Sequence, residues 1–304
     1  MRLCAVSVDL DEIPSYHAIH GLPAPVGPSR DAVYDVALAR LESWANALGL
    51  PLTLFAIGAD MARGENAARL RSLAAKGHEI GNHTLDHRYD LVRLDAVEMR
   101  RQVGVGAEVL AGATGTRPKG FRAPGYTVTD DLLSIVKDTG HEYDASVFPC
   151  PAYWLAKASA ISAIALRGRK SRSIVDHPRV LLAPVVPYRM GNPYTHRGDG
   201  LVEIPVQVTP GARLPFIGTS LTMAPDAVGA ALTRAAVTSD TVNLELHGMD
   251  VLDVDDGLGA LAGHQPDVRV SVLDKLRRLG AAIGALREHG FSFVSMREIA
   301  ARVR

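Results

Sequence analysis

Short apolar runs alternate with longer amphipathic stretches along most of this chain, and the alternation predicts repeated βα units. Leu3–Leu10 is a strand-like run, followed by a helical pattern that puts Val33, Ala37, Leu41, Trp44 and Leu48 on one face. Leu52–Ile57 reads as a strand and Ala62–Lys76 as a helix ended by Gly77. His78–Asn82 is a short strand and Ala96–Leu110 a helix closed near Gly112. Gly120–Arg122 precedes a helix from Thr129, a suitable N-cap, to Thr139, with Gly140 as its stop; Tyr143–Phe148 is the next strand. Near the end, Asp226–Ala236 is helical and Thr241–Leu246 a strand. A long amphipathic helix then carries Val272, Leu276, Leu279, Ile283 and Leu286, before a strand at Phe291–Val294 and a short helix at Met296–Val303.

The stretch from Pro149 to about Thr222 breaks this rhythm. It is rich in proline, carries a basic cluster (Arg167, Arg169, Lys170, Arg172) and offers only scattered strands, Val180–Val186 and Leu201–Val208. We expect an irregular insert at 149–222 on the substrate side of a single domain spanning 1–304. Repeated βα units build either an open doubly wound sheet or a closed barrel. A glycine-rich turn after the first strand would favour the open sheet, but that strand ends in Asp9, Asp11 and Glu12. Polar residues recur at the ends of later strands too, where a barrel collects its chemistry. The expectation is therefore a distorted (β/α) barrel.

Composition narrows the function. A chain of 304 residues that is 47% apolar can bury a large core. Lysine plus arginine equals aspartate plus glutamate at 33 each, so bulk charge favours neither nucleic acid nor an anionic membrane. Aromatics at 5% argue against a base-stacking surface or an open carbohydrate platform. Leu3–Leu10 is not preceded by a basic segment and a long apolar one, so it does not look like a secretory signal. The longest apolar stretch, Leu155–Leu166, is too short to span a bilayer and contains Lys157. Only Cys4 and Cys150 are present, which fits a reducing, cytoplasmic setting without a cysteine metal site.

Six polar residues carry the candidate chemistry: Asp9, Asp11, His83, His87, Arg122 and His247. Histidines four apart share a helical face and can both point at one ion. A zinc protease of the H-E-x-x-H type needs glutamate after the first histidine, and Thr84 stands there. Asp9 and Asp11, two apart at a strand end, point to one side. Asp11, His83 and His87 leave metal positions open for water and substrate, as metal-assisted hydrolysis requires; the same ligand types also serve iron oxygenases. Arg122 beside an aspartate keeps that carboxylate ionised and oriented. His247 is a candidate general acid, and Asp144 either orients such a histidine or caps a turn. Trp154 is a candidate wall for an acyl pocket. His17 and His20 are left outside the metal set.

Taken in order, Asp-x-Asp, His-Thr-x-x-His, Arg-x-Pro, Tyr-Asp-x-Ser and Leu-x-His resemble the polysaccharide deacetylase family, carbohydrate esterase family 4. The resemblance runs from about Leu3 to Phe148 and resumes near Thr241. It implies a distorted barrel of six to eight strands. It also implies Asp9 as general base, tethered by Arg122, and His247 as general acid. Asp11, His83 and His87 would hold one divalent metal, usually zinc, with cobalt, nickel, manganese or iron as variants; the Tyr126 backbone N–H would help hold the oxyanion. Leu10 between the aspartates, the inserted Gly125, and Phe148 where tryptophan is common look like an intracellular branch. That branch includes allantoinase-like and peptidoglycan-deacetylase-like proteins and the deformylase of lipid-linked formamido-arabinose. The expected activity is removal of an acetyl or formyl group from an amino-sugar derivative, in free, phosphate-linked or lipid-linked form. A cytoplasmic place is implied, with peripheral attachment at the inner membrane as its variant, and a homo-oligomer is compatible with the chain. The alternatives are hydrolysis of a cyclic ureide or imide, and a non-catalytic sugar-binding relative.

Overall fold

The computed structural model describes residues 1–303. Its strands are β1 (Arg2–Asp9), β2 (Leu52–Ala56), β3 (Glu79–Asn82), β4 (Gly120–Phe121), β5 (Tyr143–Asp144), β6 (Tyr188–Met190), β7 (Arg197–Glu203), β8 (Thr241–His247) and β9 (Phe291–Phe293). The α-helices are α1 (Ile13–Ile19), α2 (Leu38–Leu48), α3 (Gly64–Ala75), α4 (Ala96–Thr114), α5 (Asp130–Asp138), α6 (Pro151–Leu166), α7 (Gly218–Met223), α8 (Asp226–Ala236), α9 (Val272–Glu288) and α10 (Met296–Ala300).

All strands join one sheet in the order β6-β7-β5-β4-β3-β2-β1-β8, with β9 added on β1. Among the described strands only the β6–β7 pair is antiparallel. β1 lies at the centre: β8 runs beside Leu3–Asp9, β2 beside Val6–Asp9 and β9 beside Arg2–Cys4. Its residues from Leu3 onward are all buried, as a parallel strand covered on both faces must be. Cys4, Val6 and Val8 pack with Leu41 and Trp44 of α2, Leu244 and Leu246 of β8 and Ile283 of α9. Each such fully buried aliphatic side chain contributes roughly 1.5–3 kcal/mol.

The sheet curls until its ends meet, but the seam is irregular. After β7, Gln207 N–H donates to Asn243 O (3.3 Å), and Asn243 Nδ2 donates to Ile204 O and Pro205 O. Pro205 has no N–H to continue a ladder. Side-chain amides therefore close what backbone pairs cannot, and the result is the distorted barrel expected. Among the described residues no helix is long and apolar enough to cross a membrane.

Several boundaries differ from the pattern. β4 and β5 have two residues each, because Pro124 ends one run and the Glu203 carboxylate, accepting from Val147 N, replaces a backbone partner in the other. α4 runs through Gly112 to Thr114, where Gly115 with φ 81° closes it. The insert departs most. It holds a sixteen-residue helix, α6, that periodicity does not reveal, because its apolar residues are spread around the axis. The expected strand at Val180–Val186 is absent: Pro178–Leu182 forms a 3-10 turn and Pro184 and Pro187 bar a ladder. A strand begins instead at Tyr188, as one arm of the β6–β7 hairpin, while 204–208 forms the seam rather than a strand.

Candidate metal centre

The ends of β1, β3, β4 and β8 bring the six polar residues to one rim. Asp9 is level with His247 across the β1–β8 pair and with Phe55 across β1–β2. Asn82 is level with Phe121 across β3–β4, so His83 and Arg122 leave their strands at the same height.

His83 and His87 lie on a loop, not on the helical face that their spacing predicts. Thr84 (φ 70°) and His87 (φ 50°) adopt left-handed backbone, which side chains other than glycine rarely do. The surroundings hold this shape. Thr84 N donates to Asn82 Oδ1, His87 N donates to Thr84 Oγ1, and Leu85 N and Asp86 N donate to the backbone and side-chain oxygens of Gln102. Thr84 O and Leu85 O accept from Gly58 N and Ala59 N. Backbone strain over-determined in this way is typical of a ligand clamp.

The loop brings both imidazoles onto Asp11. Asp11 Oδ1 lies 3.2 Å from His83 Nε2 and 3.1 Å from His87 Nε2, and the two nitrogens are 3.2 Å apart. All three residues are buried, yet among the described residues Asp11 Oδ1 receives no hydrogen bond. Three lone-pair atoms at the corners of a nearly equilateral triangle, one of them an orphan, suit a cation bound at about 2.0–2.2 Å from each. His83 Nδ1 lies 2.7 Å from Arg122 O, which places its proton there and leaves Nε2 free. His87 Nδ1 is 3.4 Å from Ser15 Oγ. Burial alone would raise the Asp11 pKa, but His87 and His83 hold it well below the usual carboxylate range. Burial lowers His83 and the charges of Asp9 and Asp11 outweigh it, so its imidazole holds a proton more firmly than usual. That proton must leave for a cation to bind, so cation affinity rises with pH.

Asp9 stands beside this triangle, its Oδ2 3.9 Å from His83 Nε2. Its Oδ1 accepts from Arg122 Nη1 at 2.6 Å. Arg122 is wholly buried: Nη2 donates to Ser7 Oγ (2.9 Å), Nε to Ala145 O (2.9 Å), and the guanidinium lies 4.2 Å from the Phe55 ring centroid. A buried cation satisfied on every side fixes its carboxylate partner in one orientation.

His247 closes the opposite side. Its Nδ1 is 2.9 Å from Glu245 Oε1, and its Nε2 is 3.4 Å from the Tyr126 hydroxyl. Its backbone N–H donates to Asp250 Oδ2 (2.8 Å). Burial works against the charged imidazole, but Glu245 first, then Asp9 and Asp11, push its pKa well above the ordinary histidine value. Glu245 was missed in the sequence; the available signal was its position two before His247 on one strand, hence on the same side.

Three sequence expectations meet a different arrangement. Asp144 does not pair with His247. It accepts from Ser146 N and Ser146 Oγ, and shares the barrel interior with Glu203, a cross-strand neighbour. Burial and Asp144 push the Glu203 carboxyl well up, so the pair retains a proton. Tyr126 N–H is already spent on Ala123 O (3.0 Å), because the extra Gly125 (φ 63°) folds a tight turn there. What Tyr126 offers the site is its hydroxyl, kept neutral by burial. Trp154 turns its Nε1 to Asp176 O (2.8 Å) within the insert; the aromatic wall is Tyr153, packed on Phe148 and Tyr126. Lys157, also missed, donates to Gly125 O (2.7 Å) and ties α6 to the Tyr126 turn. His17 and His20 stay outside the metal triangle, bonded to Pro23 O and Gln265.

Residues 31–143 match the family model described as polysaccharide deacetylase. That span contains His83, His87 and Arg122; the fold brings Asp9, Asp11 and His247 to them from outside it. Three solved structures share the fold. One is a protein from Mycobacterium smegmatis assigned as a polysaccharide deacetylase, 19% identical over all of this chain and 91% of that one, with a TM-score of 0.61. Another is a family 4 acetyl xylan esterase from Clostridium thermocellum in complex with a cobalt ion (14%, 99% and 91%, TM-score 0.51). The third is a family 4 pseudoenzyme from Bacillus anthracis (11%, 100% and 66%, TM-score 0.52). Over residues 31–143 the chain is therefore similar to the polysaccharide deacetylase family, and it shares its fold with these solved structures.

Proposed function

We propose that this chain is a metal-dependent amide hydrolase that removes a small acyl group, acetyl or formyl, from the nitrogen of an amino-sugar derivative. One observation carries the reading. The orphaned Asp11 Oδ1 and two imidazole nitrogens form a cation-sized triangle, flanked by a tethered carboxylate on one side and a proton-rich imidazole on the other. Asp11, His83 and His87 would hold one divalent cation; zinc fits the donor set, and cobalt, nickel, manganese or iron are its competitors. When bound, such a cation polarises the acyl oxygen and makes a bound water more acidic.

The chain's own residues do the rest. Asp9, fixed by Arg122, takes the proton of the attacking water. His247, held charged by Glu245, gives a proton from Nε2 to the departing nitrogen. The Tyr126 hydroxyl, 3.4 Å from that Nε2, orients it or donates to the developing oxyanion. Tyr153 and Phe148 wall off the acyl group. The fold also carries a pseudoenzyme, so the base, tether and acid matter: a pure binder of sugars needs none of the three. Acceptors in free, phosphate-linked and lipid-linked form all suit the reading, as does a place in the cytoplasm or against the inner membrane face.

The test is a screen for acetate and formate release from N-acyl amino sugars, with Asp9→Asn as control. Release by the wild type that falls on the order of 10²–10⁴-fold in the variant supports the reading. Equal release by both, or turnover of cyclic ureides alone, contradicts it.

A further inference from the structure

A cavity of about 710 Å³ opens directly beside the metal triangle, with His87 and Tyr89 on its inner wall. Its other side is the basic stretch of the insert, Lys170 to Arg172, and its rim includes Arg93. The acids that line it are already occupied. Asp86 accepts from Arg101 (3.0 Å) and Gln102 (2.7 Å), and Asp90 accepts both prongs of Arg88 (2.8 Å each). Arg93, Lys170 and Arg172 have no carboxylate partner among the described residues. Three unpaired cations around one recess repel one another, and the arrangement makes sense when an anion enters.

The basic stretch is also docked onto the barrel mouth. Arg169 packs against Gly21 at the end of α1, and burial first, then His20, Arg169 and Arg167, lower the pKa of His264. Positive charge therefore faces the mouth from both sides of this segment. Arginine forks and an ammonium around a recess suit the oxygens of a phosphate group.

We propose that this cavity is a phosphate subsite, and that the substrate is an N-acyl amino sugar bearing a phosphate group, bound by Arg93, Lys170 and Arg172 while its amide reaches the metal centre. The phosphate is either that of a soluble sugar phosphate or the linkage of a lipid carrier. The proposal rests on the hydrolase reading for its substrate class but not for its anion site, so the two are tested apart.

Inorganic phosphate is titrated calorimetrically into the wild type, into Asp11→Ala, and into a triple variant with Arg93→Ala, Lys170→Ala and Arg172→Ala. Phosphate should bind the wild type and Asp11→Ala alike, which separates this site from the cation, and the triple variant should bind about tenfold or more weakly. Equal affinity in the triple variant, or loss of binding in Asp11→Ala, overturns the proposal. KM is then compared for N-acetylglucosamine and N-acetylglucosamine 6-phosphate. A preference for the phosphorylated form that the triple variant loses supports the proposal, and equal KM values contradict it. If no amide is cleaved while phosphate binding still depends on the three cations, the hydrolase reading falls and the anion site stands. Phosphatidylglycerol vesicles distinguish the sources. Binding to vesicles that free phosphate displaces indicates a lipid-linked phosphate in the same recess. Vesicle binding without any phosphate binding overturns the proposal in favour of a membrane-facing patch.

Discussion

The strand-end rim and the insert are built on opposite principles. On the rim, Asp9, Asp11, His83, His87 and Arg122 are buried and held by neighbours, down to the backbone of the His83–His87 loop. In the insert, Lys170 and Arg172 are exposed and have no carboxylate partner among the described residues, on a segment with little regular structure. Burial, and the pairing of the groups that surround the orphaned Asp11 Oδ1, fix geometry at the cost of tolerance to change. Exposure leaves charge free to meet a ligand and free to vary. On the proposed reading, reaction chemistry sits where the fold is most constrained, and substrate selection where it is least.

This contrast breaks hardest at Arg122. Arg122→Met leaves the Asp9 carboxylate buried without its partner, so we expect about 3–5 kcal/mol lost in urea unfolding and hydrolysis reduced to background. Little loss of stability would show that the rim is less tightly coupled than its contacts imply.

Next comes Glu245→Gln. Glu245 is the main charge opposing the effect of burial on His247. His247 must be protonated to act as an acid, so rate falls as pH rises through its pKa. Removing the carboxylate lowers that pKa, and the alkaline limb of the kcat profile should move to lower pH, with kcat down by roughly 10²-fold. An unmoved alkaline limb would detach Glu245 from the acid.

A smaller effect is expected at the junction of the two regions. Lys157 donates from α6 to Gly125 O, and burial pushes its pKa down to about 8. Lys157→Met should loosen the Tyr126 turn, lowering kcat a few-fold, with stability changed by about 1 kcal/mol or less. The triple variant at Arg93, Lys170 and Arg172 should scarcely alter the unfolding midpoint, since its members are exposed and unpaired.

The rim was legible in the sequence because chemistry there coincides with strand ends, and period-two alternation marks those ends well. Asp9, His247 and Arg122 could be placed by their strands alone. The His83–His87 loop brings the expected pair together for a different reason: its shape comes from Asn82, Thr84 and Gln102, which no helical spacing encodes. Asp144, open in the sequence to orienting that ring or to capping a turn, caps the turn at Ser146, since Glu245, two before His247 on its own strand, reaches the ring first. The insert was hardest to read. Its helix α6 is apolar all round and its prolines hide a hairpin that begins only at Tyr188. Its free cations were visible, but the recess they face depends on residues 86–93, far away in sequence.

The central claim is that Asp11, His83 and His87 form a cation site. Elemental analysis of protein purified without chelators, wild type beside Asp11→Ala, tests it most directly. The account predicts about one equivalent of a divalent metal in the wild type and little in the variant. Metal-free wild type, or a variant that keeps its full complement, would contradict it.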